Sequence, residues 1–283
     1  TRGTTDPARE RMVEPAGRAT ALGGGHMALR NLGSTGIMVS EIGFGAFKIG
    51  RNQKTKYAEH YELPDQSEVD DLLASMLDAG LTLIDTAPAY GSSEERIGRF
   101  LADSGRRDEV VLATKVGERF HEGTSHYDFG ARAVEASLDE SLRRLGVDVL
   151  DVVNVHSDGH DLRILEETDA LEVLARRRER GDIRSIGFSG KTLEGGQVAV
   201  NHPLGIDVLM IELNLEDTSQ RPLLQEAGAR GIGVLVKKGL ASGRASAGRS
   251  LHWLLEHPEV SSVVVGSRST SHMLENLKLA ARS

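Results

Sequence analysis

The sequence predicts an α/β protein, a (β/α)8 TIM barrel whose bottom is closed by a short N-terminal hairpin. The chain has 283 residues, close to the length of about 250 residues that one such barrel typically needs. From position 28 onward, short β-rich runs alternate with longer amphipathic stretches, which is typical of repeated βα units around a parallel sheet. Eight such runs favour a closed barrel over an open doubly wound sheet.

The predicted hairpin comes first, at positions 29–32 and 38–41, around the turn Gly33-Ser34-Thr35-Gly36. Several of the runs that follow are almost continuously apolar, as expected for parallel strands that are covered on both faces. The eight predicted barrel strands are 41–46, 81–86, 110–115, 149–156, 183–189, 208–213, 233–238 and 261–266.

Helical patterns fill intervals between these strands. The clearest is 131–146, where apolar residues recur at helical spacing and Gly146 ends the pattern. The other predicted helices are 66–80, 93–105, 165–181, 219–231, 245–258 and 270–283. We expect residues 1–27 to form a flexible N-terminal extension, because they are polar and rich in Gly, Ala and Arg, and residues 28–283 to form the barrel domain.

The composition argues against several classes of protein. A net charge of −8 is unfavourable for a surface that binds nucleic acid or an anionic membrane. No apolar run approaches the roughly 18 residues of a membrane span, and the N-terminal segment lacks the apolar middle region of a signal peptide. The chain has no cysteine, which excludes disulfides and thiolate chemistry and agrees with a reducing cytosol. We therefore expect a cytoplasmic protein with no nucleic-acid or membrane partner.

Four titratable residues stand at the predicted C-terminal ends of barrel strands, where this fold carries its function. Asp85 ends the second strand, Lys115 the third and His156 the fourth, and Tyr90 follows Asp85 in DTAPAYG. A buried carboxylate is costly without a partner, so Lys115 is the expected partner of Asp85. A neighbouring ammonium also lowers the pKa of a phenol from its usual value of about 10. Tyr90 would then give a proton to a carbonyl oxygen while His156 donates a second hydrogen bond to it.

Any one of these residues alone would more often be structural, but four of them on one rim are hard to explain by packing. The segments that carry them are DTAPAYGSSEERIG, VVLATKVG, SLDESLRRLGVDVLDVVNVH and GDIRSIGFSG. In this order and spacing they resemble the signature segments of the aldo-keto reductase family, and the likeness runs from about Leu29 to Ala281. The resemblance implies that Tyr90 is the general acid, that Lys115 and Asp85 tune its pKa, and that His156 orients the carbonyl.

The chain has no G-x-G-x-x-G fingerprint of a Rossmann site, since the third glycine of GFGAFKIG (43–50) falls too late. The resemblance implies instead a dinucleotide extended across the barrel mouth. It places the nicotinamide near the backbone of 45–48, the pyrophosphate near Lys48, the carboxamide at Ser189, and the 2′-phosphate and adenine at the end of the eighth strand. The implied cofactor residues are Gly45, Ala46, Phe47, Lys48, Ser189, Gly190, Lys237, Lys238, Leu240, Gly266, Ser267, Arg268, His272, Glu275 and Asn276.

A Gly/Ser loop that leads into a helix N-terminus, as at 266–270, is also an intrinsic anion site, although a solvated helix cap is the plainer alternative. These features favour NADP(H) over NAD(H), while His272, where NADP-preferring relatives often carry Arg, weakens that preference. His156 and His160 have the i, i+4 spacing of zinc helices, but Gly159 between them argues against a helix and therefore against a metal.

Three positions depart from the family pattern. Gly190 stands where Asn usually follows the carboxamide serine, Met210 where Gln is frequent, and Lys237 where an aromatic ring usually stacks on the nicotinamide. Lys237 could lay its alkyl stem along the ring, Lys237 and Lys238 could reach the pyrophosphate, or the two could form a solvated basic pair. Pocket-lining candidates are Phe47, Tyr57, Phe120 and Tyr127.

Three functions are compatible with these residues. The first is NAD(P)H-dependent, reversible reduction of an aldehyde or ketone, with a small-molecule carbonyl compound as the partner. The second is a nucleotide-binding regulatory or redox-sensing subunit of the same fold with little turnover. The third is an unrelated TIM-barrel lyase or isomerase that uses Lys115 as a Schiff-base amine. The intact set of four residues favours the reductase.

Overall fold

The computed structural model describes residues 27–55, 60–243 and 245–280. All of the predicted N-terminal extension except Met27, as well as Tyr57 among the predicted pocket residues, lies outside these ranges. Within them, no helix is both long and apolar enough to cross a membrane.

The structure is built on a closed parallel barrel with two small antiparallel hairpins. In chain order, the strands are β1 (Leu29–Asn31), β2 (Met38–Ser40), β3 (Ile42–Gly45), β4 (Leu83–Asp85), β5 (Val111–Val116), β6 (Glu118–His121), β7 (Thr124–Tyr127), β8 (Leu150–His156), β9 (Ile183–Ser189), β10 (Val208–Glu212), β11 (Gly233–Lys237) and β12 (Val260–Val265). The barrel follows the order β3-β4-β5-β8-β9-β10-β11-β12, and β12 pairs with β3 to close it. The predicted (β/α)8 TIM barrel is confirmed.

Helices connect successive barrel strands and cover the outside of the sheet. They are α1 (Phe47–Gly50), α2 (Gln66–Asp78), α3 (Ser93–Ser104), α4 (Ala131–Leu145), α5 (Asp161–Glu167), α6 (Ala170–Glu179), α7 (Leu193–Val200), α8 (Pro222–Ala229), α9 (Ala247–Leu255) and α10 (Thr270–Ala280). Their apolar faces and the outward-facing strand residues form one continuous buried cluster. This outer core holds the strands in the positions that bring their C-terminal ends together.

A second apolar cluster fills the inside of the barrel. Its members are Leu32, Ile37, Val39, Leu83, Ala113, Val152, Val208, Met210 and Leu235. The first three belong to the β1–β2 hairpin and its turn, so the hairpin seals the N-terminal end of the barrel, as predicted. Gly33 allows the close fit, because it has a φ of +56° and a Cβ there would lie 2.3 Å from the Gly231 carbonyl oxygen.

The helix predicted over 165–181 is wrong, since the structure has two helices there, α5 and α6. Thr168 ends α5 in an extended conformation and its hydroxyl bonds the Ile164 carbonyl oxygen at 2.6 Å. Asp169 then occupies the position before α6. Thr and Asp favour helix ends because their side chains compete for backbone hydrogen bonds. Helices α1 and α7 and the β6–β7 hairpin were not predicted from the sequence.

Candidate active site

The C-terminal ends of the strands form the mouth of the barrel, and the four predicted catalytic residues meet there. Asp85 is the last residue of β4, Lys115 lies near the end of β5 and His156 ends β8. Tyr90 ends a 3-10 turn, Pro88–Tyr90, that follows β4. All four line one cavity of about 210 Å³. They therefore form a single site rather than separate polar positions.

Asp85 and Lys115 form a buried ion pair at the base of this cavity. The Lys115 ammonium donates to both carboxylate oxygens of Asp85, at 2.6 and 2.7 Å, and to the Thr86 carbonyl oxygen at 2.9 Å. Lys115 is only 1% exposed and Asp85 only 3%. Burial lowers the pKa of Lys115, but the Asp85 carboxylate and the Tyr90 phenol outweigh it, so the net pKa is raised. Lys115 is thus a charged ammonium, which disfavours its use as a Schiff-base amine.

Tyr90 lies directly against this ammonium group. The Lys115 Nζ is 4.7 Å from the centre of the Tyr90 ring, so its positive charge acts directly on the phenol. Phe47 contacts the same ring edge-on, with 5.2 Å between the ring centres. Burial raises the pKa of Tyr90 to about 12, although Lys115 acts in the opposite direction. The expectation that Lys115 brings this pKa below its usual value is therefore wrong, because desolvation of the phenolate outweighs the nearby cation.

His156 is a neutral imidazole in the cavity wall, with 17% of its side chain exposed. Burial and then the positive charges of Lys115, Lys237, Lys191 and Arg51 lower its pKa well below the ordinary value of 6.5. Its Nδ1 lies 3.0 Å from a carboxylate oxygen of Glu118, and its ring stands perpendicular to that of Tyr90, with 6.3 Å between the centres. His156 therefore lies between the substrate side of the cavity and a second, buried carboxylate.

Glu118 and Arg51 support the site and were missed by the sequence analysis. Glu118 begins β6, is 8% exposed, and accepts a hydrogen bond from Ser125 at 2.7 Å. Its carboxylate lies 4.0 Å from the Arg51 guanidinium. Arg51 in turn donates to the carbonyl oxygen of Ala89, the residue before Tyr90, at 3.0 Å. The hairpin that carries Glu118 thus contacts both His156 and the turn of Tyr90.

A local signal for this hairpin was present in the sequence. The segment ERFHEGTSHY carries one aromatic residue on each side of a two-residue Glu122-Gly123 turn, and a glycine in so short a turn is a hairpin signal. In the structure both turn residues have positive φ, 49° and 77°, the type I′ geometry that suits two-residue hairpins. Glycine is favoured at such positions and glutamate is not, which is why the turn was easy to overlook.

The structure places part of the predicted cofactor set in the same cavity. Those that line it are Gly45, Phe47, Lys48, Ser189, Lys237, Lys238, Leu240 and Gly266. Those beyond its lining are Ala46, Gly190, Ser267, Arg268, His272, Glu275 and Asn276. Five of this second group, from 267 to 276, lie on the loop that follows Gly266 and on helix α10. His272 and Glu275 are exposed there, and Asn276 is buried.

Two positively charged side chains, Lys48 and Arg268, lie close to one another, the first in the cavity lining and the second beyond it. Burial and the nearby Arg268 guanidinium lower the pKa of Lys48. At the start of α10, the Ser269 backbone N–H bonds the Ser267 hydroxyl at 3.0 Å. The Ser269 hydroxyl accepts from the His272 N–H at 3.3 Å. Two cations beside a helix N-terminus suit the phosphates of a dinucleotide, because an anion between them relieves their repulsion.

The three departures from the family pattern have specific surroundings. A Cβ on Gly190 would lie 2.8 Å from the Phe188 ring and 3.0 Å from an Asp161 carboxylate oxygen, so the site has no room for an Asn side chain. Met210 is buried inside the barrel and lines the cavity floor. Lys237 donates to the Ser189 hydroxyl and the Gly190 carbonyl oxygen.

Lys237 and Lys238 diverge from one another. Lys238 bonds the Glu212 carboxylate, whereas Lys237 points to the end of β9. The interpretation of the two as a solvated basic pair is wrong. Each is only partly exposed, and each has a defined acceptor within the barrel mouth.

The remaining candidates lie at the edge of the site. Phe47 lines the cavity, but Phe120 and Tyr127 do not. Phe120 packs under the Arg51 guanidinium, 3.4 Å from its ring centre, and Tyr127 is 40% exposed.

The segment between His156 and His160 is not helical, and Gly159 has a φ of +113°. His160 instead contacts the Asp158 carboxylate at 3.2 Å.

Comparisons with known proteins agree with this architecture. The sequence model of the Aldo/keto reductase family matches residues 41–250. An L-galactose dehydrogenase from Arabidopsis thaliana is 32% identical over 246 residues, which is 83% of this chain and 72% of that protein. A 6-dehydroglucose reductase from Novosphingobium aromaticivorans is 25% identical, with 88% of each chain covered.

Solved structures extend the likeness to three dimensions. A structure assigned to the aldo-keto reductases, from Pseudomonas aeruginosa, superposes with a TM-score of 0.83 and 41% sequence identity. The superposition covers 91% of this chain and 96% of that one. The residues matched by the family model contain the barrel strands from β3 to β11 and the four residues that meet at the barrel mouth. On this evidence the chain is a member of the aldo/keto reductase family.

Proposed function

We propose that this oxidoreductase reversibly reduces an aldehyde or ketone to an alcohol with NADPH, and that Tyr90 is the general acid. The observation that carries the proposal is the grouping of Tyr90, Lys115, Asp85 and His156 around one cavity. Relatives named both as a dehydrogenase and as a reductase support a reaction that runs in either direction.

The pKa of about 12 keeps Tyr90 protonated at neutral pH, as an acid must be. As negative charge develops on the carbonyl oxygen, the phenol gives its proton to that oxygen. Lys115, whose ammonium lies 4.7 Å from the centre of the phenol ring, then stabilises the phenolate, and Asp85 holds Lys115 in place. The Asp85–Lys115 pair therefore stabilises the phenolate that proton transfer produces. It does not bring the pKa of the free phenol below its usual value.

His156 has a narrower role than the sequence suggests. One nitrogen of a neutral imidazole donates a hydrogen bond and the other accepts one. Because its lowered pKa keeps the ring neutral, His156 cannot transfer a ring proton as an imidazolium acid would, and it contributes at most one hydrogen bond to the substrate oxygen. We infer that His156 orients this oxygen while Tyr90 alone exchanges a proton with it.

The residues at the mouth fit a nicotinamide dinucleotide. When bound, it would supply the hydride to the carbonyl carbon. Lys48, Arg268 and the start of α10 would hold its phosphates, and Ser189 would hold the carboxamide, in a cavity continuous with Tyr90. Arg268 is exposed beside Lys48, and a guanidinium in that position can bind a 2′-phosphate with two hydrogen bonds, which favours NADP(H) over NAD(H).

The test has two steps. Fluorescence titration with NADPH and NADH establishes binding, and NADPH consumption with a panel of reactive aldehydes and ketones establishes turnover. We expect Tyr90→Phe to bind NADPH as tightly as the wild type while its kcat for reduction falls by about 100-fold or more. Tyr127→Phe, which removes a hydroxyl outside the cavity, serves as the matched control and should stay within about threefold of wild type.

Unchanged turnover in Tyr90→Phe would remove Tyr90 from the role of acid. Tight nucleotide binding without NADPH consumption by the wild-type protein, across the whole panel, would instead support a regulatory subunit.

A further inference from the structure

Lys237 places an uncompensated positive charge in the wall of the cavity. It ends β11, and its ammonium donates to the Ser189 hydroxyl at 3.0 Å and the Gly190 carbonyl oxygen at 2.7 Å. Both acceptors are uncharged. In the described part of the chain, no carboxylate forms an ion pair with Lys237, because Glu212 on the neighbouring strand β10 is bound to Lys238.

Charged groups from several strands face Lys237. Asp85 of β4 is paired with Lys115 of β5, and both interact with Lys237 only at longer range. His156 of β8 is neutral. Burial lowers the pKa of Lys237 to about 7, and the charges of Lys238, Lys115 and Lys191 add to this effect while Glu212 opposes it. β12 contributes no charged residue. Lys237 therefore changes its charge near neutral pH.

A bound nicotinamide ring would lie beside this group. Hydride transfer needs the two reacting carbons about 3–3.5 Å apart, and the proposed function puts the carbonyl oxygen at Tyr90 and His156. The cavity is small, about 210 Å³, and its lining includes Ser189, Met210 and Lys237, which lie on the three strands that follow the strand of His156 around the barrel. A ring in contact with Ser189 is thus also next to the ammonium that is hydrogen-bonded to that serine.

We propose that Lys237 makes the site distinguish the two redox forms of the nicotinamide by charge, binding the reduced form more tightly than the oxidised form. The proposal rests on the function proposed above. The oxidised ring carries one positive charge and the reduced ring carries none, while the phosphates and sugars are the same. A cation beside the ring therefore repels only the oxidised form.

This preference also acts on the chemical step. In alcohol oxidation the C–H bond would break with its electron pair passing to the nicotinamide as hydride, and the hydroxyl proton would pass to the Tyr90 oxygen after the phenol had released its own proton to water. Because this step removes the ring's positive charge, protonated Lys237 shifts the equilibrium between the enzyme-bound species toward the ketone or aldehyde and the reduced cofactor. For carbonyl reduction, the same charge makes the equilibrium between the enzyme-bound species less favourable.

The sign of the pH dependence follows from the same charge. Below a pKa of about 7 Lys237 is an ammonium and disfavours the oxidised cofactor; above it the amine is neutral and the penalty disappears. Binding of the oxidised form therefore releases a proton. Tyr90, with a pKa of about 12, and His156, with a pKa well below 6.5, keep their protonation states across this range.

The test measures the dissociation constants of NADP⁺ and NADPH by fluorescence or calorimetric titration at about pH 6 and about pH 9. At the lower pH, we expect the ratio Kd(NADP⁺)/Kd(NADPH) to be roughly tenfold larger in the wild type than in Lys237→Met. At the higher pH the two ratios should converge. Lys237→Arg keeps its charge and should retain the large ratio at both pH values.

Lys191→Met is the matched control, since it removes a lysine charge from outside the cavity and should leave the ratio at the lower pH unchanged. Equal ratios for wild type and Lys237→Met at the lower pH would overturn the proposal, and so would a ratio for Lys237→Arg that collapses at the higher pH. Failure of the wild type to bind either nucleotide would count against the proposed function instead. If Lys237→Met does not fold, the comparison of wild type with Lys237→Arg decides the question.

Discussion

At the scale of single residues, the site depends on a lysine held by three oxygen atoms, two from Asp85 and one from the backbone of Thr86. Removing either partner of a buried ion pair leaves an unpaired buried charge, which typically costs about 3–5 kcal/mol. We expect Asp85→Asn and Lys115→Met each to lower the free energy of unfolding by about 3 kcal/mol. Urea denaturation followed by circular dichroism measures this loss.

The double variant should be destabilised by clearly less than the sum of the single variants, because it leaves no charge unpaired. Arg143→Met provides the comparison, since that side chain is 71% exposed and its ion pair with Glu140 is long, at 3.9 Å. Additive losses for Asp85 and Lys115 would mean that the pair is not energetically coupled.

Which residues could be predicted from the sequence depended on where they stand in a strand. Asp85, Lys115 and His156 were found because the end of an apolar barrel strand can be located in the sequence. The C-terminal ends of all barrel strands then meet at the same end of the fold. Glu118 was missed because its contact with His156 is made through a hairpin inserted after β5. The Tyr90 pKa was predicted in the wrong direction, since the sequence reveals a neighbouring lysine but not the extent of desolvation.

At the scale of elements, Arg51 joins three segments around Tyr90. It follows α1 and donates to the carbonyl oxygens of Ala89 and Gln53, both at 3.0 Å, while its guanidinium stacks on Phe120 of the β6–β7 hairpin. We expect Arg51→Met to release the turn before Tyr90 and lower the kcat of carbonyl reduction by about tenfold or more, since small misplacements of a catalytic group are costly. The dissociation constant of NADPH should change little.

Steady-state kinetics with NADPH titrations would separate the two effects. Arg51→Lys should recover only part of the loss, because an ammonium lacks the planar fork that reaches two carbonyl groups and a ring. Arg119→Met, on the same hairpin but 45% exposed, should behave as wild type. A fall in nucleotide affinity as large as the fall in kcat would contradict a role confined to positioning Tyr90.

Helix α7 shows why some elements could not be predicted. The segment LEGGQVAV contains two adjacent glycines, which disfavour a helix by about 1 kcal/mol each. The structure requires them, because a Cβ on Gly195 would lie 2.1 Å from Asp161 and one on Gly196 would lie 2.4 Å from Leu223. Packing against neighbouring helices thus overrides local propensity. The barrel strands were predictable because burial on both faces leaves a continuous apolar run in the sequence.

At the scale of the whole molecule, the two ends of the barrel have separate tasks. The mouth carries the titratable residues, and the opposite end is sealed by the β1–β2 hairpin. Circular closure was predictable, since eight strands connected in order by helices favour a barrel, and β12 indeed pairs with β3. The hydrogen bonds that hold the hairpin against the barrel were not predictable, because they join Arg30 to residues more than two hundred positions away.

Arg30 connects the hairpin to the end of α9 and the start of β12. It bonds Glu41 at 2.7 Å and the carbonyl oxygens of Leu255 at 2.7 Å and Val260 at 2.9 Å. Hydrogen bonds from a charged donor contribute about 1.5–3 kcal/mol, so we expect Arg30→Met to destabilise the protein by about 2 kcal/mol. For a chain of this size that lowers Tm by about 4–8 °C.

Because Arg30 lies at the end of the barrel opposite Tyr90, kcat and KM measured well below the melting transition should be unchanged. Differential scanning calorimetry and steady-state assays on the same preparation check both parts. Arg99→Met is the control, since its i, i+4 pair with Asp103 is solvent-exposed and such pairs contribute at most about 0.5 kcal/mol. Loss of activity at full stability in Arg30→Met would show that the two ends of the barrel are coupled, contrary to this division of tasks.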